Sequence, residues 1–181
     1  MHLNPPAKHQ HGVSLIEVLI AIVVIAFGLL GIAGLQTTAL ANNYLAYQST
    51  QAVMLAESMV DRMRANTEGV ENYLLSPGST PSSPAKNCAT AACTSSELAA
   101  WDIAQWVSMV GGGKFTNLPA GPQALMPDGK ASIVCSDSPC TRESVRIITV
   151  YWDPDRTGAS TYTCKADVTT DYRCYRLTYA P

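Results

Sequence analysis

The pattern of apolar and polar positions divides the chain into an apolar anchor and a more polar head. The run from Val13 to Leu35 is 23 residues long, and its strongly polar side chains are Ser14 and Glu17. A helix rises about 1.5 Å per residue, so this run is long enough to cross a hydrocarbon core of about 30 Å. Beyond Gln36 the composition suits a water-exposed region. The pattern therefore predicts one membrane-spanning helix followed by one head.

The first helix is predicted to continue well past the membrane. No proline occurs between Val13 and Ser76, and apolar side chains recur at intervals of three and four residues, the spacing of one helix face. We expect the helix to end near Asn66, with a transmembrane part at 13–35 and an amphipathic part at 36–66. The apolar face of the second part consists of Ala52, Leu55, Ala56, Met59, Val60 and Met63.

Residues 67–181 are predicted to form an α+β head. A loop rich in proline and serine, "LLSPGSTPSSPAKN", leads to a second helix. Thr94 or Ser95 can cap the start of that helix, Thr94 and Glu97 have the spacing of a capping box, and Gly111 to Gly113 end it. About four later segments are predicted as strands of an antiparallel sheet packed on the outer part of the first helix. They are "KASIVC", "SVRIITVYW", "STYTCKADV" and "YRCYRLTYA".

Residues 1–12 form a short polar leader that contains Lys8 and all three histidines of the chain. A positive charge before an apolar run keeps the N terminus in the cytoplasm and sends the following head across the membrane. Small residues follow the apolar run, but they continue directly into the helical pattern, unlike the end of an ordinary signal peptide. A cut before the run, at Gly12, would instead leave the anchor on the mature protein.

Six cysteines lie in the head as three pairs close in sequence: Cys88 with Cys93, Cys135 with Cys140, and Cys164 with Cys174. An even number of cysteines outside the cytoplasm favours disulfides. A zinc site is the alternative, but without the leader only cysteine ligands would remain. We therefore predict disulfides, with local pairing as the preferred connectivity among those that six cysteines allow.

Charge and motif spacing give little support to an enzyme or a nucleic-acid binder. Without the leader, 11 basic and 14 acidic residues give a formal charge of −3, whereas a general nucleic-acid binder carries a basic surface. Asp153 and Asp155 flank a proline, which predicts a turn with solvated charges and not an acid–base pair. Trp101 and Trp106 have helical spacing, typical of core or subunit-contact residues. We predict no catalytic residue, no cofactor and no metal site, and no nucleic-acid partner.

The segment "VSLIEVLIAIVVIAFGLLGIAGLQ" after Gly12 resembles the class III signal of type IV pilins and pseudopilins. The resemblance implies that a prepilin peptidase cleaves the Gly12–Val13 bond and that the new amine of Val13 is methylated. It also implies that Glu17 meets the amine of a neighbouring subunit and sets the axial register of assembly. Later segments, among them "AESMVDRMRAN" and "ITVYWDP", are similar to PilV-like minor pilins.

This resemblance implies a pilin-like fold, with a long N-terminal helix that is half transmembrane and half amphipathic. It implies a structural subunit that helps to initiate or modify type IV pilus assembly. The implied partners are other minor pilins, the major pilin, the prepilin peptidase, the inner-membrane assembly machinery and, before assembly, membrane lipid. We expect a single-pass inner-membrane protein with its head in the periplasm, later part of the pilus. The alternatives are a type II secretion pseudopilin, against which the three cysteine pairs argue, and an anchored adhesin or enzyme.

Overall fold

A computed structural model describes residues 12, 14–119, 124–165 and 170–181. They fall into two compact units, one up to Tyr44 and one from Leu45 onward. The second unit contains the end of the first helix, a second helix and a three-stranded sheet. The α+β class predicted from the sequence is confirmed.

Helix α1 spans Leu15–Ala65 without interruption and ends one residue before the predicted position. The absence of proline allows this length, because no backbone N–H donor is missing. A short 3₁₀ helix, Thr67–Asn72, follows it. In the second unit the predicted apolar face of α1 is buried, each side chain being at most 5% exposed: Ala52, Leu55, Ala56, Met59, Val60 and Met63.

Helix α2 spans Ser95–Gly111 and has the capping box that the sequence predicts. The backbone N–H of Glu97 donates to the Thr94 hydroxyl, and the Glu97 carboxylate accepts from the backbone N–H of Thr94 at 2.9 Å. The helix is capped by the next residue, Gly112, whose φ of 78° lies in the left-handed region that glycine adopts without steric cost. Its N–H donates to the carbonyl of Ser108 at 2.8 Å.

The sheet consists of β1 (Lys130–Cys135), β2 (Arg146–Trp152) and β3 (Arg173–Tyr179), all antiparallel and in the order β1-β2-β3. Ile148 in the central strand lies opposite Ile133 on one side and Leu177 on the other. Side chains alternate between the two faces of a sheet, so these three lie on one face. That face shares a single hydrophobic core with α1 and α2.

The two sheet faces are covered by different sets of residues. On the core face Trp106 of α2 is fully buried, and its indole N–H donates to the Leu55 carbonyl of α1 at 2.8 Å. Trp101 is half-buried. On the opposite face Tyr151 and Tyr172 form a second, smaller cluster together with Ala159 and the half-buried Tyr162.

The predicted strand "STYTCKADV" is not a strand in its described part, which ends at Lys165; residues 166–169 lie outside the described residues. Thr161 forms a single bridge with Asp171, and Cys164 has a φ of 64°. The Asp171 carboxylate accepts the backbone N–H groups of Thr163 at 2.9 Å and of Lys165 at 2.6 Å. A side chain therefore takes donors that a sheet ladder would need, and the prediction of about four strands is corrected to three in the described chain.

Candidate functional site

The first unit presents an apolar helix surface. Every residue of α1 from Leu15 to Tyr44 is exposed, and its large apolar side chains are between 44% (Val23) and 89% (Leu15) exposed. Exposure of apolar surface to water costs about 25 cal/mol per Å². Lipid or the apolar surfaces of other helices are therefore the favourable surroundings for this segment. Within the described chain, α1 is the helix long and apolar enough to cross a membrane.

Glu17 lies in the first turn of this helix. The backbone N–H of Glu17 donates to the carbonyl of Ser14 at 3.0 Å, which begins the helix. A negative charge in the first turn is favoured by the helix dipole. The carboxylate is exposed and forms no ion pair with any residue that the structure describes. It is thus an exposed acidic group in an apolar segment, with no cationic partner among the described residues.

Two models of known protein families match the N-terminal part of the chain. Residues 7–33 match the model of the Prokaryotic N-terminal methylation motif, and residues 34–104 match the model of Type IV pilin Tt1218. The two matches support a pilin-type structural subunit. Comparison with curated proteins and with solved structures gives no significant match.

The methylation-motif match includes the residues expected to be processed in a pilin. Gly12 is exposed, as a cleavage site must be, whereas Val13 lies outside the described residues. Cleavage between Gly12 and Val13 and methylation of Val13 therefore stay predictions. The docking role of Glu17 also stays a prediction.

The pilin-like head contains the disulfides that the sequence analysis preferred. The structure joins Cys88 to Cys93, Cys135 to Cys140, and Cys164 to Cys174. The corresponding Cα–Cα distances are 5.6, 5.8 and 5.4 Å, within the usual range for a disulfide. The first lies just before α2, the second joins the last residue of β1 to the loop that follows, and the third ties β3 to the segment that precedes it.

A polar network joins α1, the two residues that flank the 3₁₀ helix, and α2. The Arg62 guanidinium donates to the Asp102 carboxylate at 2.8 Å, and the Tyr73 hydroxyl donates to the other oxygen of that carboxylate at 2.6 Å. The Asn66 amide donates to the Tyr73 oxygen at 3.2 Å and to the carbonyl of Ser95 at 2.7 Å. The network therefore links the end of α1 to the first two turns of α2.

The network is not among the features predicted from the sequence, although the position of Asp102 is a signal for it. Asp102 lies three residues after Ala99 and four before Trp106, on the buried face of α2. A carboxylate on such a face needs a partner, because burial of an unpaired charge is costly. Burial, together with the hydrogen bond to Asp102, raises the pKa of the Tyr73 hydroxyl. The hydroxyl therefore stays protonated and donates.

The predicted turn at Asp153 is present, but the prediction that both of its charges are solvated is wrong. Asp155 is exposed, whereas Asp153 is 3% exposed and accepts the N–H groups of Gly158 at 2.9 Å and Ala159 at 3.1 Å. Burial raises the pKa of Asp153, but hydrogen bonds from Ala159, Gly158 and Thr157 outweigh it and leave the pKa lowered. Asp153 holds the backbone that follows β2.

Proposed function

We propose that the protein is a minor pilin of the PilV-like kind, a structural subunit that helps to initiate or modify type IV pilus assembly. The observation that carries this proposal is a single acidic residue, Glu17, in the first turn of an apolar helix segment whose residues 15–44 are all exposed. The adjoining sequence matches a methylation motif, and the following region matches a pilin model.

Assembly in this proposal begins with removal of the leader. A prepilin peptidase cuts after Gly12, and the amine of Val13 becomes the new N terminus near the membrane boundary. The subunit stays anchored in the inner membrane by α1, with its head in the periplasm. Its exposed apolar half-helix then packs against the equivalent helices of other minor pilins and the major pilin.

Glu17 sets the axial register of that packing. An ionised carboxylate in hydrocarbon costs roughly 3 kcal/mol, and this cost is offset where an opposite charge lies close by. The methylated amine of a neighbouring subunit supplies such a charge at one axial offset. Apolar packing alone gives affinity with little directional preference, so the ion pair is what distinguishes the correct offset from the others.

The experiment compares Glu17→Ala and Glu17→Gln with Glu57→Ala, a matched control. Glu57 is an exposed glutamate on the same helix that forms no ion pair with a described residue. We expect all three variants to reach the membrane and lose the leader. Loss of about 3 kcal/mol weakens docking about a hundredfold. Fewer pili, with little of the variant in them, are therefore expected for both Glu17 substitutions and not for Glu57→Ala.

The measurements are pilus number by electron microscopy and the amount of the protein in sheared pili. Unchanged pili and unchanged incorporation in both Glu17 variants would make the register role wrong. Intact pili together with loss of protein secretion would favour the type II secretion pseudopilin instead.

A further inference from the structure

The two edges of the sheet are covered differently. At the outer edge of β1, Ile133 and Leu75 exchange two backbone hydrogen bonds of 2.8 Å, and α2 packs against this strand. At the outer edge of β3, the Thr161 carbonyl accepts from the N–H of Tyr172 at 3.0 Å, just before the strand begins. In the described chain, β3 itself pairs with β2 alone. The β1 edge is thus closed, and the β3 edge is open.

The register of the sheet shows which backbone groups point out of the open edge. In an antiparallel sheet, successive residues direct their N–H and C=O groups to opposite sides of the strand. Those of Ile133 point away from β2, so those of its partner Ile148 point toward β3 and meet Leu177. The groups of Arg176 and Thr178 therefore point outward. Both residues are exposed, and these groups have no backbone partner among the described residues.

Two cations lie on this strand, and neither Arg173 nor Arg176 forms an ion pair within the described chain. The guanidinium of Arg176 contacts the Cys164 sulfur at 3.9 Å, which is a weak contact. Charges on an edge strand keep unsuitable strands away. A second copy of this chain would bring the same two arginines to the edge and be repelled. A segment with carboxylates is attracted instead, because opposite charges across a sheet stabilise pairing.

A groove of about 390 Å³ lies between the end of β3 and α1. Its lining includes Val60 of α1 and the half-buried Leu177. The ion pair of Asp61 with Arg64 also borders it. Directly opposite residues in a sheet share a face, so the residue that an added strand places opposite Leu177 lies toward this groove. An apolar side chain suits that place, whereas a carboxylate would meet Asp61.

We propose that the open edge of β3 binds an extended acidic segment of another protein, which adds to the sheet as an antiparallel strand. The segment has an apolar residue opposite Leu177 and an acidic one opposite Arg176. A second acidic residue lies three positions further on, opposite Arg173. Backbone hydrogen bonds to Arg176 and Thr178 give affinity, and the side chains give specificity. The interaction uses neither Glu17 nor the apolar half of α1, so it goes beyond the proposed role in assembly.

The probe is the peptide Thr-Val-Glu-Val-Thr-Glu with blocked ends, added to the full-length chain in detergent with its disulfides intact. We expect the amides of Arg176 and Thr178 to exchange quickly with solvent in the free protein and slowly at saturating peptide, as followed by NMR. A peptide with lysine at both glutamate positions is expected to bind at least about tenfold more weakly, because attraction becomes repulsion at both arginines.

Two variants separate charge from backbone pairing. Arg176→Glu is expected to weaken binding of the glutamate peptide about tenfold and to strengthen binding of the lysine peptide. Arg156→Glu is the matched control, because Arg156 is an exposed arginine in the turn after β2, and is expected to change neither. Thr178→Pro removes one outward N–H without removing a bond to β2, so it is expected to weaken binding. Should this variant fail to fold, N-methylation of the peptide glutamate opposite Arg176 removes a bond at the same edge.

Absence of binding at millimolar peptide, equal binding of the two peptides, or binding without protection of the Arg176 and Thr178 amides would each overturn the proposal. Protection that appears without peptide as the protein concentration rises would identify a second copy as the occupant and overturn it too. The assay requires neither leader removal nor pili. Failure of the proposed assembly role would therefore leave its result unchanged.

Discussion

Arg62 and Arg64 lie in the last turn of α1 but face different surroundings. Arg62 pairs with Asp102 at 2.8 Å, and the two side chains are 23% and 7% exposed. Arg64 pairs with Asp61 at 3.2 Å, and those side chains are 63% and 73% exposed. Exposed pairs contribute between about 0 and 1 kcal/mol, whereas removal of one partner from a buried pair costs about 3–5 kcal/mol. The surroundings, more than the distance, decide what each pair contributes.

This contrast gives a prediction at the residue scale. Asp102→Ala removes the acceptor of Tyr73 and the partner of Arg62, so we expect the free energy of unfolding to fall by about 3 kcal/mol. Asp61→Ala is the matched control and is expected to cost less than about 1 kcal/mol. The measurement is denaturant unfolding of the full chain in detergent. Equal losses in the two variants would contradict a structural role for the Asp102 network.

At the scale of elements, carboxylates organise the segment between β2 and β3. Asp153 accepts N–H groups just after β2, and Asp171 accepts N–H groups just before β3. The Tyr172 hydroxyl donates to Asp128 at 2.5 Å, which ties the end of the segment to the residues before β1. A carboxyl group acts purely as an acceptor, on both oxygens, while it is ionised, and protonation turns one oxygen into a donor. The segment should therefore loosen in acid before the sheet does.

Asp171 determines the direction in which the stability of this segment changes with pH. Burial raises the pKa of Asp171, but hydrogen bonds from the Thr163 hydroxyl and from the Lys165 and Thr163 N–H groups outweigh it and lower the pKa. The unfolded value is about 3.9, so this stabilisation is complete above about pH 4 and is lost as the pH falls below it. We expect the unfolding midpoint to fall steeply below about pH 4.

The variant that tests this is Asp171→Asn. It is expected to be less stable than the wild type at neutral pH and to lose less stability in acid, because the titrating group is gone. Hydrogen exchange of residues 159–165 is expected to speed up in acid in the wild type before exchange in β2 does. Parallel pH profiles for the variant and the wild type would rule out the role of Asp171.

The elements that the sequence predicted well are those whose determinants are local. The capping box of Thr94 and Glu97 needs residues three apart, and the length of α1 needs only an uninterrupted helical pattern. The segment before β3 has strand-like composition, but its conformation is set by Asp171, eight residues away from Thr163. The Arg62–Asp102 pair spans 40 residues of sequence, which a window along the chain does not connect.

At the scale of the whole molecule, hydropathy predicts the apolar first helix, and helix periodicity with strand propensity predicts the α+β head. The apolar run is long and apolar enough to cross a membrane, and the cysteine spacing matches the observed pairing. The sequence also indicated Glu17 as a candidate site, since an acidic residue in such a run is costly. What it could not supply is the set of contacts that close a small head, because they depend on packing between distant segments.

The three disulfides contribute much of the stability of this small head. In the chain-entropy model the two short rings contribute about 2 kcal/mol each and the larger one about 3, roughly 7 in all, against a typical total of about 5–15 kcal/mol. Cys164 and Cys174 are 10 residues apart and Cys88 and Cys93 are 5 apart. The larger ring also borders the tyrosine cluster on the outer sheet face, so its loss frees the segment that Asp171 holds.

We expect Cys164→Ser/Cys174→Ser to destabilise the chain more than Cys88→Ser/Cys93→Ser, measured by denaturant unfolding in detergent, and to weaken the acid dependence assigned to Asp171. The reverse order of stability would mean that ring size and the outer cluster do not control how the head is held together.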